Sequence, residues 1–118
     1  MVYVNCNIHS GEVEGKEAMM IFAREVAQGK HDDLLKDLVV VIVPNSNPDG
    51  NDDLGKNRIE TQFTPKMVGT RTEGNGLNVN RDMTKLETAC GRTIVQLMND
   101  WNPILFIDAH ATDGSYMR

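Results

Sequence analysis

Histidine and glutamate side chains stand at two places in the sequence where metal chemistry is possible. His9 and Glu12 are three positions apart, where an apolar strand ends and a helix begins. His110 comes much later, just after another apolar run. Two histidines and a carboxylate are a ligand set used by catalytic zinc, with a fourth position left open for water. Bound zinc can lower the pKa of that water to about 7, which makes hydroxide available at neutral pH.

A lone His-x-x-Glu pattern is a weak signal, so the metal hypothesis depends on His9 and His110 being brought together. A single histidine is more often a hydrogen-bonded surface residue. His31, which lies in a charged connection, is expected to be of that kind. Asp108 and Asn78 are candidates for orienting the two imidazoles through their free ring nitrogens.

Three stretches of the sequence predict the strands that would bring the candidate ligands together. Val2 to Ile8 alternates apolar with polar residues, whereas Leu38 to Val43 and Ile104 to Ile107 are continuously apolar. Continuous runs are typical of parallel strands buried on both faces. Amphipathic helices are predicted over Lys16 to Gln28 and over Leu86 to Trp101.

This alternation of strands and helices favours an α/β fold with a mainly parallel sheet flanked by helices. Ligands bind outside the carboxyl ends of the strands in such sheets. His9 and His110 each follow a predicted strand. We therefore expect them at the same edge of the sheet.

The stretch at about residues 44–80 lacks clear periodicity, and stretches of this kind are usually functional or disordered. It carries Arg58 and Arg71, which are surface charges unless the loop folds back over the site. Asn80 and Arg81 follow it, and an arginine beside an amide can bind a carboxylate through charge-assisted, bidentate hydrogen bonds. The alternative for Arg81 is a surface charge just before a helix.

Composition and charge exclude several classes of protein. The chain has 118 residues, 40% apolar and 25% charged, which suits one globular domain. A net charge of −5 gives no electrostatic support for nucleic-acid binding, and no apolar run is long enough to span a membrane. Cys6 and Cys90 both fall in apolar patterns and predict buried thiols. A nucleotide site is not indicated, because "HSGEVEGKEA" lacks the spacing of a phosphate-binding loop.

Four motifs together resemble those of the zinc carboxypeptidases, the peptidase M14 family. They occur in the order that the family uses, and the resemblance extends from residue 2 to residue 116. The motifs are HSGE at His9–Glu12, NPDG at Asn47–Gly50, NVNRD at Asn78–Asp82 and DAH at Asp108–His110.

The resemblance implies a role for each matching residue. His9, Glu12 and His110 would be the ligands of one Zn²⁺ per chain. Asn80 and Arg81 would hold the terminal carboxylate of the substrate.

The chain departs from the family pattern at two positions. The family has a second arginine three residues after an Asn-Arg pair, and this arginine stabilises the oxyanion. Here Thr61 stands at that position, so Arg58 and Arg71 are the candidates for the oxyanion role. Asn78 stands where the family often has an aspartate that is hydrogen-bonded to the first zinc histidine.

The family's general-base glutamate and its substrate-capping tyrosine lie well beyond the third zinc ligand. We therefore expect residues 1–118 to be the central zinc-binding part of a larger peptidase M14 catalytic domain, truncated at both ends. The chain by itself should be inactive without the general base. Unpaired sheet edges would make it marginally stable or prone to self-association.

The resemblance favours hydrolysis of a C-terminal peptide bond by metal-activated water. One alternative is a related zinc amidohydrolase that removes the acyl group from a small acyl-amino acid. Another is a non-catalytic zinc-binding or interaction fragment. The expected partner is a peptide or small amide with a free C-terminal carboxylate, and neither a nucleic acid nor a membrane.

Overall fold

Strands and helices alternate along the chain in the computed structural model, which describes residues 1–56 and 66–111. Over these ranges the order of elements is β1 (Val2–Cys6), α1 (Glu14–Ala27), α2 (Asp32–Leu35), β2 (Val40–Val43), α3 (Pro48–Asp52), β3 (Gly55–Lys56), β4 (Met67–Val68), a 3₁₀ turn (Val79–Arg81), α4 (Ala89–Trp101) and β5 (Leu105–Ala109).

A parallel three-stranded sheet forms the centre of the fold, with β1 between β2 and β5. In this register Asn5 of β1 lies opposite Val43 of β2 and Asp108 of β5. The prediction of an α/β fold with a parallel sheet flanked by helices is confirmed. Because β1 and β5 are neighbours that run in the same direction, the residues after each strand emerge side by side.

Helix α1 packs close to the sheet through Gly15. A Cβ atom on Gly15 would lie 2.8 Å from the Cβ of Ala109 and 3.5 Å from the sulfur of Cys6. The helix ends at Ala27, and Gly29, two residues later, has a φ of 75°. The N–H groups of Gly29 and Lys30 donate to the carbonyls of Val26 and Glu25, which is the Schellman arrangement.

Helix α4 begins at Ala89, three residues later than the apolar pattern predicted. Leu86 has a positive φ of 59° and is therefore not helical. The Thr88 hydroxyl oxygen instead accepts the N–H of Gly91 and caps the helix. A Cβ on Gly91 would lie 2.7 Å from that oxygen, which explains a glycine in the first turn of the helix.

Two buried carboxylates hold the start of α4. Glu73 accepts the N–H groups of Ala89 and Cys90 at 3.1 and 2.9 Å, and Asp82 accepts the N–H and hydroxyl of Thr88 at 2.7 and 2.6 Å. Burial opposes the charge of Glu73, but hydrogen bonds from the Cys90 thiol and these N–H groups outweigh it and lower its pKa. Burial and the Glu73 carboxylate raise the pKa of Cys90 to about 12.

Both cysteines are free and buried in the structure, as the apolar patterns predicted. The core cluster consists of Tyr3, Ile8, Val79, Cys90 and Ile94. No helix in the described ranges is long and apolar enough to cross a bilayer.

The stretch at 44–80 contains short elements that periodicity did not reveal. Within it, α3 begins at Pro48 and the pair β3–β4 is antiparallel. Asn47 ties α3 to the end of β1, because its side chain accepts the N–H of Gly50 at 2.9 Å and donates to the carbonyl of Ile8 at 3.1 Å. Arg58 and Thr61 lie outside the described residues.

Strand β5 leaves apolar side chains in solvent. Leu105 and Ile107 are 50% and 41% exposed, and Ile104, which directly precedes the strand, is 86% exposed. Within the described ranges, no strand pairs with the outer side of β5 or of β2. The β2 residues are accordingly half-buried, although their continuous apolar run predicted burial on both faces.

Replacing Glu73 with Gln should destabilise the fold by about 1–3 kcal/mol at neutral pH, because one buried N–H donor loses its acceptor. The ionised Glu73 stabilises the native state above the ordinary glutamate pKa of about 4.3, and this contribution is lost as pH falls through the lowered native value. Urea unfolding at pH 7 and at a series of acidic pH values measures both effects.

The matched control is Glu87→Gln, since the side chain of Glu87 is 56% exposed. Equal stability of the Glu73→Gln variant and the wild type at pH 7 would contradict the capping role.

We expect the chain to associate through the exposed edge at β5. Sedimentation velocity should show a concentration-dependent shift above the monomer. Ile107→Lys should reduce that shift, because a charge on an edge strand opposes pairing. A monodisperse wild-type monomer that melts cooperatively would overturn this expectation.

Candidate metal centre

The first candidate ligands follow a sharp change of direction after β1. Asn7 adopts a φ of 62°, a conformation that asparagine tolerates, and it donates to the side-chain oxygen of Asn45 at 2.7 Å. The chain then turns tightly, with the N–H of Glu12 donating to the carbonyl of His9 at 2.9 Å. This turn places the side chains of His9 and Glu12 together, as their spacing predicted. Both are nearly inaccessible to solvent, at 2% and 7%.

His110 follows β5 and meets this pair from the neighbouring strand. Glu12 contacts both imidazoles. Its Oε1 lies 2.9 Å from Nδ1 of His9, and its Oε2 lies 2.9 Å from Nδ1 of His110. The two rings are 4.9 Å apart between centroids. One ligand atom from each residue lies within 4.8 Å of the others, so the group can hold a metal ion.

The outer nitrogens of both imidazoles also have oxygen partners. Nε2 of His9 lies 3.1 Å from Oδ1 of Asn78, and Nε2 of His110 lies 3.0 Å from Oδ2 of Asp108. An acceptor at the outer nitrogen fixes the tautomer of a metal-binding histidine and raises its basicity. The two residues named from the sequence for this task therefore lie where it requires them.

Counting protons shows that a cation suits this group. Each ring has an oxygen acceptor at both nitrogens, whereas a neutral imidazole carries one proton. A proton at Nε2 satisfies Asn78 or Asp108 and leaves the lone pair of Nδ1 facing an oxygen of Glu12. A metal ion among two Nδ1 atoms and one carboxylate would satisfy all of these lone pairs, and the donor set is one that zinc prefers.

Glu12 is held in its charged form. Burial alone would raise the pKa of this carboxyl, but the hydrogen bond from the backbone N–H of Ala111 and the contacts with the imidazoles of His110 and His9 outweigh burial and lower the pKa. The Ala111 N–H lies 3.0 Å from Oε2. Sequence reasoning missed this contact, because a backbone donor leaves no mark on residue type.

Arg71 does fold back onto the centre. Its Nη1 donates to Oε1 of Glu12 at 3.2 Å, and its Nη2 lies 3.4 Å from Nε2 of His9. The Arg71 side chain is 46% exposed, so this contact joins the buried Glu12 to a group that reaches solvent. Of the two arginines considered for the oxyanion role, the structure describes Arg71, whereas Arg58 lies outside the described residues.

Asn80 and Arg81 lie on the 3₁₀ turn that begins beside His9. The same Oδ1 of Asn78 that faces His9 also accepts the N–H of Asn80 at 3.0 Å. Nη1 of Arg81 donates to the carbonyl of Asn80 at 2.9 Å, and the Arg81 side chain is exposed. Through Asn78 the turn is therefore joined to the candidate metal centre. The carboxylate-binding role of the pair stays a prediction.

A parallel sheet thus carries two histidines and one glutamate at its carboxyl edge, in a group that could hold a metal ion. The chain belongs to the zinc carboxypeptidase family, peptidase M14, whose family model matches residues 1–102. No curated protein and no solved structure matches the chain. The family is zinc-dependent, and the fold agrees with a part of its catalytic domain.

Arg71 and a divalent cation would compete for Glu12. Arg71→Gln should therefore bind Zn²⁺ more tightly, by about 1 kcal/mol or roughly five-fold, because one nearby positive charge is removed in a solvent-exposed setting. The dissociation constant is measured by competition with a chromophoric chelator. Arg24→Gln, at an exposed position near the end of α1, is the matched control. Weaker binding by Arg71→Gln would mean that the guanidinium positions Glu12 instead of competing for it.

Proposed function

We propose that this chain forms the zinc-binding part of a metallocarboxypeptidase that hydrolyses the C-terminal peptide bond of its substrate. The observation that carries the proposal is the meeting of His9, Glu12 and His110 around one shared carboxylate. Membership of the zinc carboxypeptidase family supports it.

His9, Glu12 and His110 would hold one Zn²⁺ per chain. When bound, zinc supplies Lewis acidity toward a carbonyl group and lowers the pKa of water to about 7. Glu12 contributes the negative charge of the ligand set, and its hydrogen bond from Ala111 keeps the carboxylate ionised and oriented.

Asn80 and Arg81 would bind the free carboxylate at the end of the substrate. The exposed Arg81 offers a planar set of N–H donors that matches a carboxylate. Because the turn that carries it starts at the oxygen of Asn78 beside His9, a carboxylate held there would lie near the metal centre. This arrangement supports a substrate with a free C-terminus, either a peptide or a small amide.

Arg71 would stabilise negative charge that develops on the carbonyl oxygen during hydrolysis. Its guanidinium already lies against Glu12 and is half exposed, so it can turn toward a substrate. A positive group aimed at developing charge stabilises the transition state, and by more when water is excluded from the site.

The general base of the proposed reaction would be a residue other than Glu12 and Asp108. Glu12 and Asp108 are the carboxylates that contact the two imidazoles in the described ranges, and both are occupied by those contacts. Neither of these two carboxylates is therefore available as the general base.

Zinc stoichiometry tests the ligand set directly. The wild type should bind one Zn²⁺ per chain, and His9→Ala and His110→Ala should each lose it. Replacing a residue that only hydrogen-bonds to a metal ligand already lowers metal affinity by about 10–100-fold. Loss of a ligand itself should lower it by at least that much. Atomic absorption on chelator-washed protein gives the metal content.

His31→Ala is the matched control, because His31 pairs with Glu25 at 3.1 Å and takes no part in the centre. Retention of zinc by His9→Ala or His110→Ala would refute the ligand set. A folded wild type without zinc would leave the chain as an interaction fragment.

Arg81→Gln should weaken binding of an N-acetylated dipeptide with a free C-terminus by about 1.5–3 kcal/mol, because a charge-assisted hydrogen bond is lost. Chemical-shift titration of the zinc-loaded chain measures the affinity. The same dipeptide with an amidated C-terminus should bind both proteins equally weakly, and Arg24→Gln should bind the carboxylate form as the wild type does. An Arg81→Gln variant with unchanged affinity would place the carboxylate elsewhere.

A further inference from the structure

Side chains of β1 and β5 form paired rows that lead toward the metal centre. The register places Tyr3 opposite Phe106 and Asn5 opposite Asp108. The first pair is aromatic, with ring centroids 5.0 Å apart. The second pair is polar and lies two residues further along each strand, closer to His110. An apolar core therefore gives way to a hydrogen-bonded pair just before the candidate ligand.

Hydrogen bonds connect these residues in one continuous series. The Tyr3 hydroxyl donates to Oδ1 of Asn5 at 3.3 Å, and Nδ2 of Asn5 donates to Oδ1 of Asp108 at 3.0 Å. The other oxygen of Asp108 faces Nε2 of His110 at 3.0 Å. Both oxygens of Asp108 are thus engaged, one by Asn5 and one by the histidine.

Asn5 is the residue that joins Tyr3 to Asp108 in this series. It is fully buried on the central strand, with 0% of its surface exposed. Burial and the nearby Asp108 carboxylate raise the pKa of Tyr3 to about 12, so its hydroxyl stays protonated as a donor. A buried amide with both ends bonded has one available orientation.

His110 needs such support more than His9 does. His110 follows β5, which lies at the edge of the described sheet, and its side chain is 31% exposed. The side chain of His9, which follows the central strand, is 2% exposed. The ring of His110 also lies between two carboxylates, with Glu12 at Nδ1 and Asp108 at Nε2. These two oxygens compete for the one proton of a neutral imidazole, and a metal held beside Glu12 would need that proton to be at Nε2.

We propose that Asn5 is a positioning residue that holds Asp108 in place and thereby keeps the proton of His110 on Nε2, leaving Nδ1 free for the metal. The proposal concerns the metal centre of the proposed function and rests on it for its purpose. Asn5 touches neither the metal ligands nor the substrate in this assignment, and it acts through Asp108.

The competing explanation is that Asn5 only satisfies buried hydrogen bonds in the core. In that case its replacement would lower stability and disturb the whole edge of the sheet. Asn5→Leu, which has a similar shape without the amide, separates the two explanations because they predict different effects on His110 and His9.

The first measurement is the tautomer of each histidine in metal-free protein, from long-range ¹⁵N–¹H spectra at a pH where the imidazoles are neutral. In the wild type, His110 should carry its proton on Nε2. In Asn5→Leu the proton of His110 should move toward Nδ1, where Glu12 accepts it. His9, which is held by Asn78, should be unchanged and serves as the internal reference.

The second measurement is zinc affinity in a double-mutant cycle of Asn5→Leu and Asp108→Ala. Asn5→Leu alone should lower the zinc affinity by about 10-fold. This is the lower end of the range found when residues that orient metal ligands are replaced. With Asp108→Ala already present, Asn5→Leu should add less than about two-fold, because the group through which it acts is gone. Tyr3→Phe should have a smaller effect than Asn5→Leu, since it leaves the bond from Asn5 to Asp108.

An unchanged His110 tautomer in Asn5→Leu, or an equal loss of affinity with and without Asp108, would overturn the proposal. If Asn5→Leu does not fold, Asn5→Ser replaces it, since serine keeps a polar group but is too short to reach Asp108. If the wild type binds no zinc, the proposed function fails, and the tautomer measurement still decides the role of Asn5.

Discussion

The carboxylate of Glu12 is the interaction on which the arrangement of the whole edge depends. Its two oxygens contact imidazoles from two different strands, and the N–H of Ala111 and the guanidinium of Arg71 approach it as well. A buried charge is tolerated only when it is paired and hydrogen-bonded. Glu12 therefore ties the turn after β1, the end of β5 and the loop at Arg71 into one unit.

The supports of the two imidazoles differ in charge. His9 is oriented by the neutral amide of Asn78, whereas His110 is oriented by the carboxylate of Asp108. The family often has an aspartate where this chain has Asn78, so the expected negative charge is absent on the side of His9. Asp108 places a negative charge on the side of His110. Of the two residues that orient the imidazoles, Asn78 and Asp108, one is therefore charged.

Much of the fold was predictable from the sequence, because alternation and helical periodicity are local. The parallel sheet, the presence of α1 and α4 and the neighbourhood of His9 and His110 all follow from such patterns. The start of α4 was not predictable, since it depends on Glu73, a carboxylate 16 residues before Ala89. The contact of Arg71 with Glu12 joins residues 59 positions apart, and no local pattern records it. The individual roles of His9, Glu12, His110, Asn80 and Arg81 stay predictions.

The close approach of Gly15 to Ala109 has a consequence for the dimensions of the centre. Gly15 lies three residues after Glu12, and Ala109 directly precedes His110. With only 2.8 Å between Ala109 and the position of a Cβ at residue 15, any larger residue there would push helix and strand apart. Residue 15, which binds nothing itself, therefore sets how closely the start of α1 approaches the end of β5, the two elements that flank Glu12 and His110.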